Sequence, residues 1–308
     1  MKSPKLNSFI SSFFFALVLI FSSCKKDDEV VVMPAKDIVD IALSDARFTT
    51  LTKLLSDNGL VSALKGAGPF TVFAPTNDAF AKIDASKLTK DQLVAILKGH
   101  VIGAKVVAAD VKSGTASTLS EPIYLSKNSN GVYINGNSKV TQADVSGSNG
   151  VIHVIDNVIV PPSKSLVEIA AGNPDFSELV SLVLAADAGV VKALSDASAA
   201  GLTVFAPTNA AFTELYKTLP KATLLEAGNK ALLTSVLLYH VVPGRVFSSD
   251  LPNVSGEVGS GNGKDKLTFD LSSGAVVKGK MSGNSSITAV NILATNGVIH
   301  VINKVLLP

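Results

Sequence analysis

The residues best suited to chemistry in this sequence are its four histidines, which fall at matched positions in two halves of the chain. They are His100 with His240, and His153 with His300. An imidazole near neutral pH can act as a general base or bind a metal ion. A zinc or hydrolytic site also needs further ligands or an acid at matched positions. Asp110 is matched by Asp250, but Asp144 is matched by Asn291 and Asp156 by Asn303. We therefore predict buried imidazoles bonded to backbone groups, and no catalytic, cofactor-binding or metal-binding residues.

A second candidate for chemistry is the heptapeptide TVFAPTN, which occurs at residues 71–77 and again at 203–209. Its last threonine could be a nucleophile only beside a base, and nothing in the sequence places one there. The apolar run before the proline is typical of a β-strand, and the Thr-Asn pair after it suits a helix N-cap. These pairs are Thr76 with Asn77, and Thr208 with Asn209. We interpret the motif as scaffold that leads a strand into a helix.

These motifs belong to a duplication that covers most of the chain. NGVIHVI occurs at residues 149–155 and 296–302, and all repeated blocks keep the same order. The spacing between copies grows along the chain, so the copies differ by insertions in loops. Each copy is long enough to bury its own core. The sequence predicts two tandem domains, at residues 34–160 and 161–308.

Within each copy the spacing of apolar residues changes from helical to strand-like. Intervals of three and four predict helices over residues 38–64 and in the segment that leads to His100. Later segments read as strands, and residues 151–155 have apolar side chains on both faces, which predicts a central strand. Helices first and strands later, with no strand–helix–strand alternation, predict an α+β fold.

The first residues resemble a bacterial lipoprotein signal. Residues 1–23 have a basic start, an apolar core that is too short to span a bilayer and small residues at the end. Cys24, the only cysteine, follows in FSSC, which resembles a lipobox. The segment KKDDE within residues 24–33 predicts a solvated tether and resembles a surface-export tag. We expect a signal peptide over residues 1–23, lipid attachment (palmitate) at Cys24 and a surface-exposed outer-membrane lipoprotein, with the periplasmic face as the alternative.

Composition narrows the class of partner. Without residues 1–23 the chain has equal numbers of basic and acidic residues, and no basic run interleaved with aromatic residues occurs. Nucleic-acid binding depends on neutralising phosphates, so we predict no nucleic-acid partner. Tryptophan is absent, so a sugar site would depend on phenylalanine or on the tyrosines. These are Tyr124, Tyr133, Tyr216 and Tyr239.

The repeated motifs resemble those of the fasciclin (FAS1) domain family. The resemblance is carried by TVFAPTNDAF and TVFAPTNAAF, by YHVVPGRV at residues 239–246, and by the two NGVIHVI segments. It covers nearly all residues past 34 and implies two tandem domains, each a β-sandwich or wedge with a helical layer. It also implies a role in cell adhesion without catalysis. Because the Tyr-His pair is linked to adhesion in animal members, Tyr239 and His240 are the possible adhesion residues, whereas the first copy has Gly99 before His100.

The leading functional hypothesis is a lipid-anchored adhesion or interaction protein of the cell surface. It needs no cofactor, and its partners are outer-membrane lipid through Cys24 and an unidentified protein or polysaccharide. The alternative is a glycan-binding accessory lipoprotein that uses Tyr133 or Tyr239. A hydrolase based on histidine and aspartate is the remote alternative.

Overall fold

The computed structural model describes residues 35–195, 200–254, 256–272 and 274–308. Residues 35–308 form one compact unit. We call residues 35–160 domain 1 and residues 161–308 domain 2. The predicted signal peptide (residues 1–23), the lipid attachment site Cys24 and the tether (residues 24–33) lie outside the described residues.

The described part of domain 1 has short helices, and most of them start at a polar side chain that caps the helix. They are α1 (Ile38–Leu43), α2 (Thr49–Asp57), α3 (Val61–Leu64), α4 (Asn77–Ala81) and α5 (Lys90–Gly99), with 3-10 turns at Ala46–Phe48 and Ala85–Lys87. Asp37 accepts a hydrogen bond from the backbone of Asp40 at the start of α1. Thr89 and Gln92 form a capping box at the start of α5, which satisfies two otherwise unpaired amides.

The strands of domain 1 form a single hydrogen-bonded sheet. They are β1 (Phe70–Pro75), β2 (Val101–Ile102), β3 (Gly114–Ala116), β4 (Ile123–Asn128), β5 (Gly131–Ile134), β6 (Ser138–Gly147) and β7 (Gly150–Ile155). Within the described residues the strand order is β2-β1-β7-β6-β5-β4-β3. The strand predicted over residues 151–155 is central, between β1 and β6, and is buried along its length.

The strand predicted in TVFAPTN is present as β1, and its pairing is the feature that the sequence did not predict. β1 lies between helices in the chain and pairs parallel with β7, with Phe73 opposite His153. The remaining strand pairs of the domain are antiparallel. The parallel pair joins the two repeated motifs, TVFAP and GVIHVI, side by side at the centre of the sheet.

The central strands separate two apolar cores. Val72 and Val154 pack against the helices. Phe73 and Ile155 point to the other side, where Ile134 and its neighbours on β4 and β5 cover them. Strand β6 has irregular register between Val140 and Val145, and such bulges bend a strand. The sheet therefore folds over itself as a wedge, with the helical layer on its other face.

Domain 2 repeats this plan, with longer counterparts of α3 and α4 and one additional helix among the described residues. Its helices are α6 (Leu166–Ala171), α7 (Ser177–Ala185), α8 (Ala188–Leu194), α9 (Asn209–Tyr216), α10 (Lys221–Leu225) and α11 (Lys230–Tyr239), with 3-10 turns at Pro174–Phe176, Ala227–Asn229 and Leu251–Asn253. Its strands are β8 (Leu202–Pro207), β9 (Val241–Pro243), β10 (Glu257–Gly259), β11 (Lys266–Asp270), β12 (Val276–Gly279), β13 (Gly283–Ala294) and β14 (Gly297–Ile302). The order β10-β11-β12-β13-β14-β8-β9 matches that of domain 1. The predicted α+β fold of two tandem domains is confirmed.

Across the part of the chain that the structure describes, no helix combines the length and the apolar character that a bilayer crossing requires.

Candidate functional site

The first pair of histidines lies in the core, where a helix ends and the next strand begins. His100 and His240 follow α5 and α11 and are 1% and 3% exposed. His100 Nδ1 is 2.8 Å from the carbonyl oxygen of Ile96, so it donates, and Nε2 accepts from the amide of Ile159 at 2.9 Å. Burial disfavours the imidazolium and lowers the pKa of His100 to about 4. This ring is neutral near pH 7, and both of its nitrogens are occupied.

His240 repeats this arrangement in domain 2. Its Nδ1 donates to the carbonyl of Val236 at 2.8 Å, and its Nε2 accepts from the amide of Leu306 at 2.8 Å. Burial again lowers the pKa, to about 4. Each of these rings therefore ties the end of a helix to the segment that leaves the last strand of its domain.

The second pair of histidines lies on the central strands. His153 Nε2 donates to the carbonyl of Val106 at 2.8 Å, and its Nδ1 accepts from the amide of Asp144 at 3.2 Å. His300 makes the equivalent bonds to Val246 at 2.8 Å and Asn291 at 3.4 Å. Burial lowers the pKa of His300. These rings bind the β-bulge of β6 or β13 to the loop that follows β2 or β9.

The structure brings no acid into a catalytic relation with these imidazoles within the described residues. The nearest carboxylate oxygen to His153 Nδ1 is that of Asp144, at 3.9 Å, and the backbone amide of Asp144 already occupies that nitrogen. Over the same described residues, no three histidine, cysteine, aspartate or glutamate side chains come together as a metal site would need. The arrangement stabilises loops and offers no exposed general base.

The Thr-Asn pairs of the repeated heptapeptide stabilise two helices each. Thr76 Oγ1 accepts from the amide of Ala79 at 3.2 Å, as an N-cap of α4 should. Asn77 does not cap this helix: its Oδ1 accepts from the amide of Thr50, at 3.0 Å, in the first turn of α2. Its Nδ2 donates to the carbonyl of Ala46 at 2.9 Å. Asn77 therefore caps a helix that precedes it by 27 residues in the chain.

Domain 2 keeps this division of roles. Thr208 Oγ1 accepts from the amide of Ala211 at 3.4 Å. Asn209 accepts from the amide of Glu178 at 3.0 Å and donates to the carbonyl of Pro174 at 2.9 Å. The expectation that both members of the pair cap the helix they begin is wrong for the asparagines, because their side chains reach back to α2 and α7.

The predicted adhesion pair, Tyr239 and His240, is buried, and this corrects the expectation that it contacts a partner. Tyr239 is 0% exposed. Its hydroxyl donates to the carbonyl of Lys266 at 2.8 Å and accepts from the amide of Lys280 at 2.9 Å. Burial raises the pKa of this phenol. A sugar or receptor cannot reach either side chain without opening domain 2.

Domain 1 lacks this tyrosine and has different hydrogen bonds at the corresponding strands. Where domain 2 has Tyr239, domain 1 has Gly99. Asn135 takes over the link between strands: its amide donates to the carbonyl of Tyr124 at 2.7 Å, and its Oδ1 accepts from the amide of Tyr124 at 2.7 Å. These two bonds fix the start of β4, and with it the position of Tyr124.

Tyr124 lies at the junction between the domains, which sequence reasoning did not predict. Its ring packs against that of Phe247, with centroids 5.1 Å apart. Phe247 is 0% exposed and lies directly over Gly136, where a Cβ atom would come within 2.6 Å of its ring. The β4–β5 hairpin of domain 1 and the turn after it therefore pack against the loop that follows β9 in domain 2.

Polar contacts complete the junction. Ser126 donates a short hydrogen bond to the carboxylate of Asp250. Asn128 Nδ2 donates to the carbonyl of Ser249 at 2.6 Å, and Asn253 Nδ2 donates to the carbonyl of Lys127 at 2.9 Å. Burial raises the pKa of Asp250, although its bond to Ser126 opposes this effect. These directional bonds fix one orientation of the two domains.

Asn291 is the residue by which the second copy adapts to the junction. It is 3% exposed, and its Nδ2 donates to the carbonyl of Gly136 at 2.9 Å. Its own carbonyl accepts from Asn137 Nδ2 at 3.0 Å. The matching Asp144 has the same left-handed backbone, with φ of 60° against 59°, but its side chain is 44% exposed and has no amide to donate. The Asp-to-Asn difference between the copies is the sequence feature that could have indicated the role of Asn291 at the junction.

A cleft of about 640 Å³ lies beside this junction. The aromatic part of its wall comes from Tyr124 and Phe247, and Pro161 and Pro162 of the linker form another apolar part. Glu121 and Arg245 add one negative and one positive charge. Ligand sites commonly have volumes of about 300–1,000 Å³ and often lie between domains. Burial and, secondarily, the charge of Asp250 raise the pKa of Tyr124, so its hydroxyl stays protonated near pH 7. Each domain supplies part of the wall, so the cleft needs both.

Comparison with known proteins identifies the recurring unit. A family model described as "Fasciclin domain" matches residues 46–161 and 174–308. The chain is 44% identical over 135 residues to Protein sll1483 of Synechocystis sp., an alignment that covers 42% of this chain and 75% of that protein. It is 30% identical over 287 residues to human periostin, covering 92% of this chain and 32% of periostin. It is 32% identical over 213 residues to rat stabilin-2, covering 62% of this chain and 14% of stabilin-2.

A solved structure of a FAS1 domain pair from the insect cell adhesion molecule fasciclin I is also similar. It has 18% sequence identity and a TM-score of 0.45, and the match covers 86% of this chain and 98% of that one. Against periostin and stabilin-2, this chain corresponds to a third or less of the relative's length.

Proposed function

The chain belongs to the fasciclin domain family, and from that premise we propose that it is a lipid-anchored adhesion or interaction protein of the cell surface that acts by binding and not by catalysis. In this proposal a protein or polysaccharide partner contacts the cleft at the domain junction. The anchor is outer-membrane lipid joined to Cys24, and the domains face the outside of the cell, with the periplasmic side as the alternative.

The observation that carries this proposal is the cleft between two domains held in one orientation. Hydrogen bonds hold the two walls of the cleft in place. They join Ser126 and Asn128 to the loop after β9, and Asn291 to domain 1. A preorganised site binds with a smaller loss of conformational entropy than a flexible one. The cleft is thus the surface best suited to a specific partner.

The state of the histidines supports a binding role over a hydrolytic one. A general base must come within hydrogen-bond reach of substrate, and the four imidazoles are at most 3% exposed with their nitrogens bonded to backbone groups. Thr76 and Thr208, the possible nucleophiles, serve as helix caps. The histidines and threonines of the repeated motifs therefore form hydrogen bonds that stabilise the fold.

The adhesion proposal is tested with cells that display the full chain. We compare attachment to neighbouring cells and to immobilised matrix polymers for the natural protein, Tyr124→Ala and Tyr133→Ala. Tyr133 is the matched control, because it lies on the adjacent strand β5 with Lys139 over its ring and does not line the cleft. We expect attachment to fall at least tenfold for Tyr124→Ala and to persist for Tyr133→Ala. Equal attachment by all three proteins rejects the cleft as the binding site, and no attachment by any of them rejects the adhesion role.

The anchor is tested separately with Cys24→Ala. We expect the natural chain to fractionate with outer membrane and to be accessible to protease on intact cells, and the variant to lose membrane association. Equal membrane retention of both proteins contradicts acylation at Cys24. Protection from protease on intact cells, with exposure after outer-membrane rupture, favours the periplasmic alternative.

A glycan-binding accessory role is the second candidate, and the composition of the cleft favours it. Tyr124 and the two prolines offer apolar faces, while Glu121, Asn135 and Arg245 offer polar groups at the same cleft. Aromatic rings with a polar edge suit the alternating faces of a sugar. Of the two tyrosines expected to serve this role, Tyr239 is buried and Tyr133 does not line the cleft, so a sugar site in the cleft would use Tyr124. Binding to a polysaccharide array that is lost in Tyr124→Ala supports this role, and no binding to any polysaccharide counts against it.

A further inference from the structure

Domain 2 contains a small apolar cavity between its first helices and the central sheet. Its volume is about 80 Å³. Side chains from α6, α7, α8, β8 and β14 line it, among them Leu166, Ala170, Val183, Leu194, Val204 and Ile299. A water-sized group needs about 10–15 Å³ of such space, so the cavity has room for a short run of methylene groups.

The cavity wall offers an occupant no hydrogen bond from a side chain. His240 is the one polar residue of the lining among the described residues, and its nitrogens already bind the backbone of Val236 and Leu306. Water in such a space would lose hydrogen bonds, and cavities of this kind stay dry and take apolar ligands. The cavity therefore selects hydrocarbon.

A shallower depression of about 340 Å³ lies next to the cavity, on the outside of α6 and α7. The two spaces share Ala170, Val180 and Leu184 in their walls, and Leu184 is 74% exposed. The outer depression also has polar lining, from Asn173, Ser177 and Ser181. An apolar inner space and a polar outer shelf thus lie on either side of the same three residues.

An ion pair lies beside the shelf, and the exposed carboxylate of Asp175 lies in the chain between the shelf residues Pro174 and Ser177. The carboxylate of Glu178 accepts from Lys221 Nζ at 2.8 Å and from the Tyr216 hydroxyl at 2.9 Å. The same lysine lies 3.3 Å from Ser181 Oγ. Because this pair is neutral as a whole, the shelf suits an uncharged hydrogen-bonding group better than a free acid.

Domain 1 provides an internal comparison for this site. Val183 and Leu194 line the cavity and are half-buried, whereas their counterparts Leu55 and Leu64 are 6% and 5% exposed. At the outer end, Leu184 is matched by Ser56. The second copy therefore has a smaller side chain inside and a more apolar entrance than the first.

We propose that domain 2 binds the alkyl chain of a single-chain amphiphile, such as a monoacylglycerol, with its hydrocarbon end in the inner cavity and its uncharged head on the shelf at Asn173, Ser177 and Ser181. This site lies on the helical layer and does not depend on the proposed adhesion role. Its ligand class follows from the contrast between an apolar cavity and a polar entrance.

The test uses the purified full chain and octanoyl glycerol below its micelle concentration, with binding measured by calorimetry and by shifts of methyl NMR signals. The main variant is Val183→Leu, which places in the cavity the residue that domain 1 has at this position. The second filling variant is Ala170→Leu. The control is Leu119→Ala, which removes an apolar side chain that is 48% exposed on domain 1.

We expect millimolar or tighter binding to the natural chain, a loss of at least tenfold in the filling variants that remain folded, and no change in Leu119→Ala. Octanoic acid should bind more weakly than octanoyl glycerol if the head contacts the neutral shelf. Absence of binding to the natural chain overturns the proposal. Binding that persists in a folded filling variant, or that falls equally in Leu119→Ala, also overturns it.

Discussion

At the scale of single residues, the buried polar side chains act as connectors. Each histidine uses one ring nitrogen to donate and the other to accept, so a neutral imidazole joins two backbone segments that no regular hydrogen-bond ladder joins. Leaving a buried backbone group unpaired costs about 1–3 kcal/mol, which explains why an ionisable residue is useful in the core.

This use of histidine makes stability depend on pH. The pKa of His100 and His240 is about 4 in the folded state, below the ordinary value of 6.5. Above pH 6.5 these rings are neutral in both states and their contribution is fully present. Between pH 6.5 and 4 the unfolded chain binds protons that the folded chain does not, so we expect stability to fall by up to about 3 kcal/mol per ring.

The measurement is the free energy of unfolding in urea at pH 7.5 and at pH 5. His240→Gln keeps a donor and an acceptor but removes one titrating group, so the pH dependence should weaken and not vanish, because His100 and His300 still titrate, whatever the stability of the variant at pH 7.5. A slope unchanged from the natural chain would show that this ring is not the titrating group.

Gly136 is the second residue where a single atom decides packing. A Cβ at this position would lie 2.6 Å from the Phe247 ring, and φ is 70°. We expect Gly136→Ala to destabilise the domain junction by about 1–3 kcal/mol, the usual range for overpacking. Gly263→Ala is the matched control, because φ there is 71° and nothing lies within 4 Å of the added atom. Equal loss of stability in the two variants would attribute the effect to backbone strain and not to the junction.

At the scale of elements, short helices depend on partners outside themselves. Helices of about five to ten residues are marginal in isolation, so their unpaired terminal amides matter. In the described chain, α2 has no side-chain cap from its own N-cap residue, Phe48, and Asn77 supplies one from the first position of α4. The repeated Thr-Asn pair thus couples a strand, the helix it begins and the helix that precedes it.

We expect Asn77→Ala to cost about 1 kcal/mol, the typical value for a lost cap, with faster hydrogen exchange at the Thr50 amide. Asn77→Asp keeps the oxygen that accepts from Thr50 and should retain most of that protection. Unchanged exchange at Thr50 in Asn77→Ala would contradict the cross-capping role.

At the scale of the whole molecule, duplication has produced an asymmetric contact. The hairpin of domain 1 binds the loop and bulge of domain 2, so different faces of two similar domains meet, and each copy must adapt its own face. Asn291 makes that adaptation on one side and Gly136 makes it on the other. The junction, and the cleft beside it, depend on places where the copies diverge.

Exchanging the diverged residues tests this view. Asn291→Asp removes the amide that donates to Gly136 and Ser248, and we expect a loss of about 1–3 kcal/mol from the unpaired carbonyl together with increased protease sensitivity of the linker. Asp144→Asn makes the reverse change at the same bulge of domain 1, where the side chain is exposed, and should be nearly neutral. If the two variants behave alike in unfolding and in proteolysis, Asn291 has no special role at the junction.

The duplication, the α+β class, the central apolar strands and the burial of the histidines could be predicted from the amino-acid sequence alone. These features depend on local periodicity and on repeated residues such as those of TVFAPTN, and neighbouring residues in the chain are enough to specify them. The sequence also predicted strands and helices in nearly the right order, because the apolar spacing of each segment matches the element that it forms.

Only the tertiary structure decided the parallel pairing of β1 with β7, the partner of Asn77 and the burial of Tyr239. Each depends on a contact between segments far apart in the chain, and one sequence does not record which segments meet. The junction cleft and the apolar cavity were hidden for the same reason: their walls come from several elements, and residues such as Gly136 and Val183 become informative only when the atoms that face them are known.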